Sequence, residues 1–358
     1  MKAVILVGGE GTRLRPLTLS APKQMLPIVG VPMIERVLTY LASHGVDEAV
    51  LSLGYLPDAF TEAYPGGRAA GVSLTYAVEP EPLDTAGAVR FAATFAGIDE
   101  TFVVVNGDVL TDLDLTSLVT FHREREAEGT IHLHPVAEPS AFGVVPTDSE
   151  GRVTAFVEKP PRDEAPTNEI NAGTYVLEAS VLARIAANGR VSIERETFPA
   201  MVRDGVLYAR SDDRYWIDTG TPSTYLEANF DYVEGRRGTP IAPDLGDRGD
   251  GVYVEGESDL RGDVIAHSVV FAGCTLEPGA RVERSVLGRG SVISAGAVVA
   301  DCVLMDDCHV AADASVSGTI MGPRSIVGQR ADVKPVSVLG ADAVVSSGTM
   351  VDGERVSG

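Results

Sequence analysis

Directly after the first apolar stretch come Gly8-Gly9-Glu10-Gly11-Thr12-Arg13-Leu14-Arg15-Pro16-Leu17-Thr18, and then Pro22-Lys23. Glycines let backbone N–H groups approach an oxyanion closely, and Arg13, Arg15 and Lys23 bring positive charge to the same segment. The chemistry this favours is binding of a polyphosphate. Two familiar phosphate motifs fail on spacing. A P-loop requires Lys directly after its second glycine, and Thr12 follows Gly11. A dinucleotide fingerprint requires a third glycine where Leu14 stands. Lysine is otherwise scarce: only Lys2, Lys23, Lys159 and Lys334 occur against 25 arginines, and Lys23 and Lys159 both adjoin proline. A compact ammonium is the cation chosen where a guanidinium fork does not fit a phosphate.

Nucleotide phosphates arrive with Mg²⁺ held by one or two carboxylates. Asp108 ends the apolar run Phe102-Val103-Val104-Val105-Asn106-Gly107, and Asp218 ends Tyr215-Trp216-Ile217. Each then stands at the carboxyl end of a strand, where open α/β sheets bind their ligands.

The elements that must carry these residues fall into two textures. From Lys2 to about Val233, short apolar runs such as Ala3–Val7 and Ala49–Leu53 alternate with helical spacing over 33–42 and 86–95. That alternation predicts β-α-β units around a mainly parallel sheet. Gly235–Gly251 is rich in Gly, Asp, Arg and Pro and reads as a linker. Beyond it aliphatic residues recur every six positions at Val264, Val270, Leu276 and Val282. The step shortens to five at Leu287, Leu304 and Met321, so one coil takes 17 residues. Three short sides with one inward aliphatic each make a parallel β-helix of stacked hexapeptides. The expected domains are 1–235, a linker over 236–251, and 252–358.

The whole chain, 358 residues with 29 basic and 51 acidic side chains, has a formal charge of −22. Such a surface repels a nucleic-acid backbone or an anionic membrane, so neither is a partner. No run approaches the roughly 18 apolar residues of a membrane span, and the N-terminal residues carry no targeting pattern, so the expected location is the cytoplasm. Cys274, Cys302 and Cys308 lack C-x-x-C spacing, which argues against zinc and a disulfide framework. The strand surfaces and open end of the β-helix predict a homo-oligomer formed through residues after Gly251. His267 and His309, which a second, acyl-transferring activity would need, have no cofactor-like surroundings, and His309 falls at a coil surface.

The glycine-rich segment, together with Pro82-Leu83-Asp84-Thr85-Ala86-Gly87, Asn106-Gly107-Asp108, Glu158-Lys159-Pro160, Asn171-Ala172-Gly173 and Trp216-Ile217-Asp218-Thr219-Gly220, resembles the sugar-nucleotide pyrophosphorylases along essentially the whole chain. Within them it is most similar to the mannose-1-phosphate guanylyltransferases. The resemblance implies a Rossmann-like nucleotidyltransferase domain followed by a left-handed parallel β-helix, with GTP and mannose 1-phosphate as substrates and Mg²⁺ as cofactor. It also implies that Leu6, Gly8, Gly9, Gly11, Thr12, Glu79, Gly87 and Gly107 surround the nucleotide. Arg13 would meet the departing pyrophosphate and Lys23 the α-phosphate; Asp108 and Asp218 would hold the metal. Lys159 would bind the sugar phosphate, and Glu158, Asn171 and the Gly143 backbone would meet the sugar hydroxyls.

Glu79 stands where uridylyl- and thymidylyltransferases tend to carry Gln, and an ionised carboxylate only accepts hydrogen bonds. Guanine offers two adjacent donors on its pairing edge, whereas uracil and thymine offer one flanked by acceptors, so Glu79 favours GTP. The alternatives are a thymidylyl- or uridylyltransferase acting on glucose 1-phosphate, and a non-catalytic regulatory or scaffold subunit. Asp84 departs from the family pattern, since guanylyltransferases commonly have Gly there.

Overall fold

The computed structural model describes residues 1–237, 241 and 245–358. By their contacts these form two compact units, Met1–Gly9 with Ile34–Trp216, and Glu10–Met33 with Ile217–Gly358.

The first unit is built on a twisted sheet. Its strands are β1 (Lys2–Leu6), β2 (Glu48–Leu53), β3 (Val72–Val78), β4 (Phe102–Asn106), β5 (Gly129–Pro135), β6 (Glu169–Leu177) and β7 (Leu207–Ser211). Their order is β3-β2-β1-β4-β6-β5-β7. The run β3-β2-β1-β4 is parallel, and β6 adds to β4 antiparallel. β1 and β4 read as unbroken apolar runs because helices cover both faces of a parallel sheet. Of the helices α1 (Met33–Ser43), α2 (Asp84–Phe95) and α3 (Leu115–Glu124), α2 turns Ala86, Val89, Ala92 and Ala93 into a core shared with Val4, Val104 and Tyr175. Small alanines let that helix approach the strands closely. The antiparallel pairing of β6 with β4 and β5 is not legible in the alternation of runs and helices, because apolar spacing marks a strand without recording its direction.

In the second unit the hexapeptide repeats close into a three-sided parallel β-helix. Val269 pairs with Val286, Val286 with Val303 and Val303 with Ile320, each seventeen residues on; the next step, Ile320 to Val338, takes eighteen. Every residue of the expected inward series from Val270 to Val351 lies in one buried core, with Val264 packed against it half-buried at the open end. Burying a Val or Leu side chain contributes about 1.5–3 kcal/mol, and the coils repeat that gain at each turn. Corner positions also form columns: Ser268, Ser285, Cys302, Thr319 and Ser337 are all buried, each one coil apart. Cys302 donates to Ala300 O at 3.0 Å, Cys308 to Gly322 O at 3.2 Å and Cys274 to Gly288 O at 3.2 Å. Burial pushes the three thiols up, Cys302 to about 12 and the others to about 11. His309 is half-buried, with Nε2 3.1 Å from Ser294 Oγ.

Of the expected linker 236–251, residues 238–240 and 242–244 lie outside the described residues. Gly246–Asp247 is not loop: it pairs antiparallel with Val252–Val254. Gly249, Asp250 and Gly251 take positive φ and make the hairpin turn, so a composition typical of linkers here encodes a tight reversal. The compact units also cross the expected boundaries. Glu10–Met33 and α4 (Pro222–Val233) go with the repeats. The physical reason is burial: Leu17, Met25 and Leu26 line one cavity with Val286, Val303 and Leu304 of the coils. Among the described residues no helix is long and apolar enough to cross a membrane.

Candidate active site

The first unit gathers residues at the carboxyl ends of its parallel strands. Gly8 follows β1, Glu79 follows β3, and Gly107 and Asp108 follow β4. The ladders continue past the strand ends, with Glu79 N donating to Leu53 O at 2.8 Å and Gly107 N to Leu6 O at 3.0 Å. Gly8 and Gly54 cross so closely that a Cβ on Gly54 would lie 3.0 Å from Gly8 O, and one on Gly8 would lie 3.2 Å from Glu79 Oε1. The Glu79 carboxylate is half-buried and oriented from both sides. Oε1 accepts from Ser52 Oγ at 3.0 Å and Oε2 from Leu83 N at 3.1 Å. Four lone-pair sites leave it free to accept further donors. Ser52 was missed in the sequence, although a fully buried hydroxyl in the strand Ala49-Val50-Leu51-Ser52-Leu53 is itself a signal.

Gly87 is not an open ligand contact. It is buried in the first turn of α2, its N–H donates to Val191 O at 3.1 Å, and it packs on Leu83 and Gly189. Its smallness serves close packing, which a motif alone cannot tell from ligand approach. Asp84 explains its own departure from the pattern: its φ is +61°, a backbone region that Gly enters freely and Asp tolerates, and its Oδ1 accepts from Thr85 N at 2.8 Å.

A second group of the same unit surrounds Glu158. Gly143 pairs with Glu158 across two short strands, and a Cβ on Gly143 would crowd Phe156 and Glu158 Oε2. Lys159 sits at φ +50°, with N donating to Phe142 O at 3.0 Å and Nζ 3.4 Å from Glu158 Oε1. A lysine held in the left-handed region is the kind of strain that persists where geometry serves function. Asn171 lies at a bulge in β6; its Nδ2 donates to Tyr175 Oη at 3.0 Å and its Oδ1 accepts from Gly173 N at 3.1 Å. The Trp216 indole donates to Ala172 O at 2.9 Å and meets the edge of Phe142, giving this group an aromatic wall. Burial, then the Glu194 and Glu158 carboxylates, push the Tyr175 phenol up, so it stays neutral. Glu194, from a π-helical turn at Ile193–Thr197, was also missed; it accepts from Thr85 at 2.7 Å and Ser192 at 2.8 Å.

The second unit holds the cationic segment. Gly11, at φ +61°, opens the turn Thr12–Leu14, and a side chain there would strike Thr18 and Lys23. Buried Thr18 closes the loop by donating to Gly11 O at 2.9 Å. Arg15 is tied to Glu10 at 2.7 Å, whereas Arg13 is largely exposed and reaches Asp218 only at 4.0 Å. Of the two arginines, Arg13 is therefore the one with charge to spare for a ligand. Asp218 is oriented by Gly220 N, which donates to its Oδ1 at 2.7 Å. Thr12 is exposed and Lys23 half-buried. The site residues thus divide: Leu6, Gly8, Gly9, Glu79, Gly107, Asp108, Gly143, Glu158, Lys159 and Asn171 in one unit; Gly11, Thr12, Arg13, Lys23 and Asp218 in the other.

Among the described residues no group of three or more His, Cys, Asp or Glu side chains forms a metal cage. Asp108 and Asp218 are hard oxygen donors of the kind Mg²⁺ takes singly or in pairs, completing its shell with water and substrate phosphate.

Residues 2–235 match the nucleotidyl transferase family and residues 260–358 the GMPPB C-terminal domain. A mannose-1-phosphate guanylyltransferase of Mycobacterium tuberculosis is 42% identical over 290 residues, 80% of this chain and 79% of that protein. A mannose-1-phosphate guanyltransferase of Hypocrea jecorina is 36% identical across 99% of this chain and 95% of its own. Among solved structures, HddC from Yersinia pseudotuberculosis aligns with a TM-score of 0.56 at 29% identity, covering 66% of this chain and 99% of that one. With the glycine-rich segment, the oriented carboxylates and the appended coils all in place, the chain belongs to the nucleotidyl transferase family, in the branch that carries a GMPPB C-terminal domain.

Proposed function

We propose that the protein transfers the guanylyl group of GTP to mannose 1-phosphate, giving GDP-mannose and pyrophosphate, as a cytoplasmic homo-oligomer associating through its β-helix. The observation that carries the choice of base is the Glu79 carboxylate, fixed by Ser52 and Leu83 against the Gly8 backbone. Its lone pairs match the adjacent N–H and amine of guanine and oppose the acceptors of uracil. The sugar-phosphate oxygen attacks the α-phosphorus in line, the new P–O bond forms as the bond to pyrophosphate breaks, and no protein nucleophile is required. Arg13 and Lys23 neutralise the phosphates, Lys159 holds the sugar phosphate, and Glu158, Asn171 and the Gly143 backbone orient the sugar hydroxyls. Asp108 and Asp218 are the carboxylates that would hold Mg²⁺, whose charge would add to the neutralisation of the phosphates. Catalysis of this kind is positioning and electrostatics.

The test is pyrophosphate release with mannose 1-phosphate and GTP, UTP, dTTP or ATP in turn, then GTP with glucose 1-phosphate. Turnover is expected for GTP with mannose 1-phosphate, and Glu79→Gln is expected to narrow the preference for GTP by about tenfold or more. A wild-type preference for UTP or dTTP overturns the role of Glu79, and absence of turnover moves the protein to the regulatory class.

A further inference from the structure

One side of the β-helix differs from the other two. On its first side the outward residues Val269, Val286, Val303, Ile320 and Val338 are buried to 3% exposure or less, whereas Ile326 and Val344 on the second side and Val298 and Met350 on the third are well exposed. The covered side belongs to the compact unit that includes Glu10–Met33, the segment bearing Gly11, Arg13 and Lys23. The cover is not a continuous packed layer, because a cavity of about 240 Å³ remains between residues 17–30 and the coils. The segment is nonetheless buried at intervals along its length, with Leu14, Leu17, Leu26, Ile28 and Val29 exposed by 3% or less, and specific contacts set its course. Gly30, at φ +70°, lies directly on the Phe271 ring, where any Cβ would enter the ring itself. Val29 is held at φ +44°, a strained region for a β-branched residue, by its N–H donating to Asn229 Oδ1 at 2.8 Å. Tyr225 Oη, on α4 like Asn229, donates to Pro27 O, and on the coils a Cβ added to Gly340 would stand about 3.1 Å from the Pro16 ring.

From this we infer that the β-helix, together with α4, is the seat of the phosphate-handling segment, and that Phe271 is a positioning residue for the nucleotidyl transfer, acting through Gly30 on the cations of the segment. The path is short. The hairpin of Pro27–Ile28 and Val31–Pro32 turns at Val29-Gly30, Met33 N donates back to Leu26 O at 3.1 Å, and Leu26 N donates to Lys23 O at 3.1 Å. Removing the ring beneath Gly30 frees a strained turn three residues from that last bond. Displacing a phosphate-binding cation by even about 1 Å costs up to about 100-fold in rate. The inference rests on the reading of Arg13 and Lys23 as phosphate ligands, and the experiment separates the two.

In the full-length protein, Phe271→Ala is expected to lower kcat about tenfold or more and to weaken inhibition by pyrophosphate to the same degree. Binding of mannose 1-phosphate, assigned to Glu158, Lys159 and Asn171, is expected to change by less than about twofold. Phe271→Leu, which keeps apolar bulk under Gly30, recovers most of the loss. Gly30→Ala attacks the same contact from the other side and is expected to reproduce the selective loss, so the inference stays decidable if Phe271→Ala does not fold. A merely structural role would lower the melting temperature while leaving kcat and pyrophosphate inhibition of the folded protein unchanged, which overturns the inference. Arg13→Ala is the control: if it keeps pyrophosphate inhibition, the phosphate reading itself fails; if it loses inhibition while Gly30→Ala and Phe271→Ala keep it, only the positioning role fails.

Discussion

Asp84 illustrates how one residue can depart from a family pattern without breaking the machinery. At φ +61° a Cβ costs roughly 1–2 kcal/mol, which Asp reduces because its short side chain bonds locally, here to Thr85 N. Replacing it with Gly removes the steric cost and the local bond together, so Asp84→Gly is expected to shift stability by less than about 1 kcal/mol. Asp84→Ala keeps the cost and loses the bond, and is expected to be about 1–2 kcal/mol less stable than the glycine variant. Thermal unfolding of the two variants side by side checks this; equal stabilities would mean the residue does not hold the left-handed conformation. The same scale shows what a motif can and cannot convey. Gly8 and Gly87 look alike in the sequence, yet one lies open beside Glu79 and the other spends its N–H on Val191 inside the core. The partners that decide between those roles, Ser52 and Val191, are distant in the chain and carry no periodic signal.

At the scale of the element, strand β5 carries a buried histidine that the proposed mechanism does not use. His132 is 1% exposed, packed inside the sheet beside Asp212 and His134. Burial lowers its pKa from 6.5 to about 4, assisted by the charge of His134 and only partly opposed by Asp212, through its carboxylate and its backbone. The unfolded chain therefore binds a proton between those values that the folded chain does not, and stability rises with pH across that window. The contribution is complete above about pH 6.5 and is lost as pH falls towards 4, amounting to about 3 kcal/mol. Denaturant unfolding of wild type and His132→Phe at several values from pH 4 to 7 is expected to show a flatter dependence in the variant; parallel curves would refute it. The repeats were the most legible element, because a six-residue period in the sequence becomes one inward aliphatic per side with little room for another answer. The sheet was half legible. Apolar runs announce strands, but direction is set by which neighbour a strand meets, and nothing local in β5, β6 or β7 records it.

At the scale of the whole molecule, the aliphatic residues left exposed on the second and third sides of the β-helix, Val298, Ile326, Val344 and Met350, are where association would bury apolar surface. Light scattering at micromolar concentration is expected to give at least twice the mass of one chain, and Ile326→Lys with Val344→Lys is expected to lower it; a monomer mass for wild type would refute association through this domain. The periodicity of the sequence separates a mixed α/β region from a repeat region near residue 235, while the folded contacts assign Glu10–Met33 to the repeats. Such a crossing is invisible in composition, because it depends on a contact such as that of Gly30 with Phe271, 241 positions apart in the chain. The three buried thiols give the β-helix its own clock. Cys274 lies toward its N-terminal end and Cys302 and Cys308 in mid-stack, each sealed by a carbonyl of the next coil, so the order in which they become open to alkylation records the order in which the stack unzips.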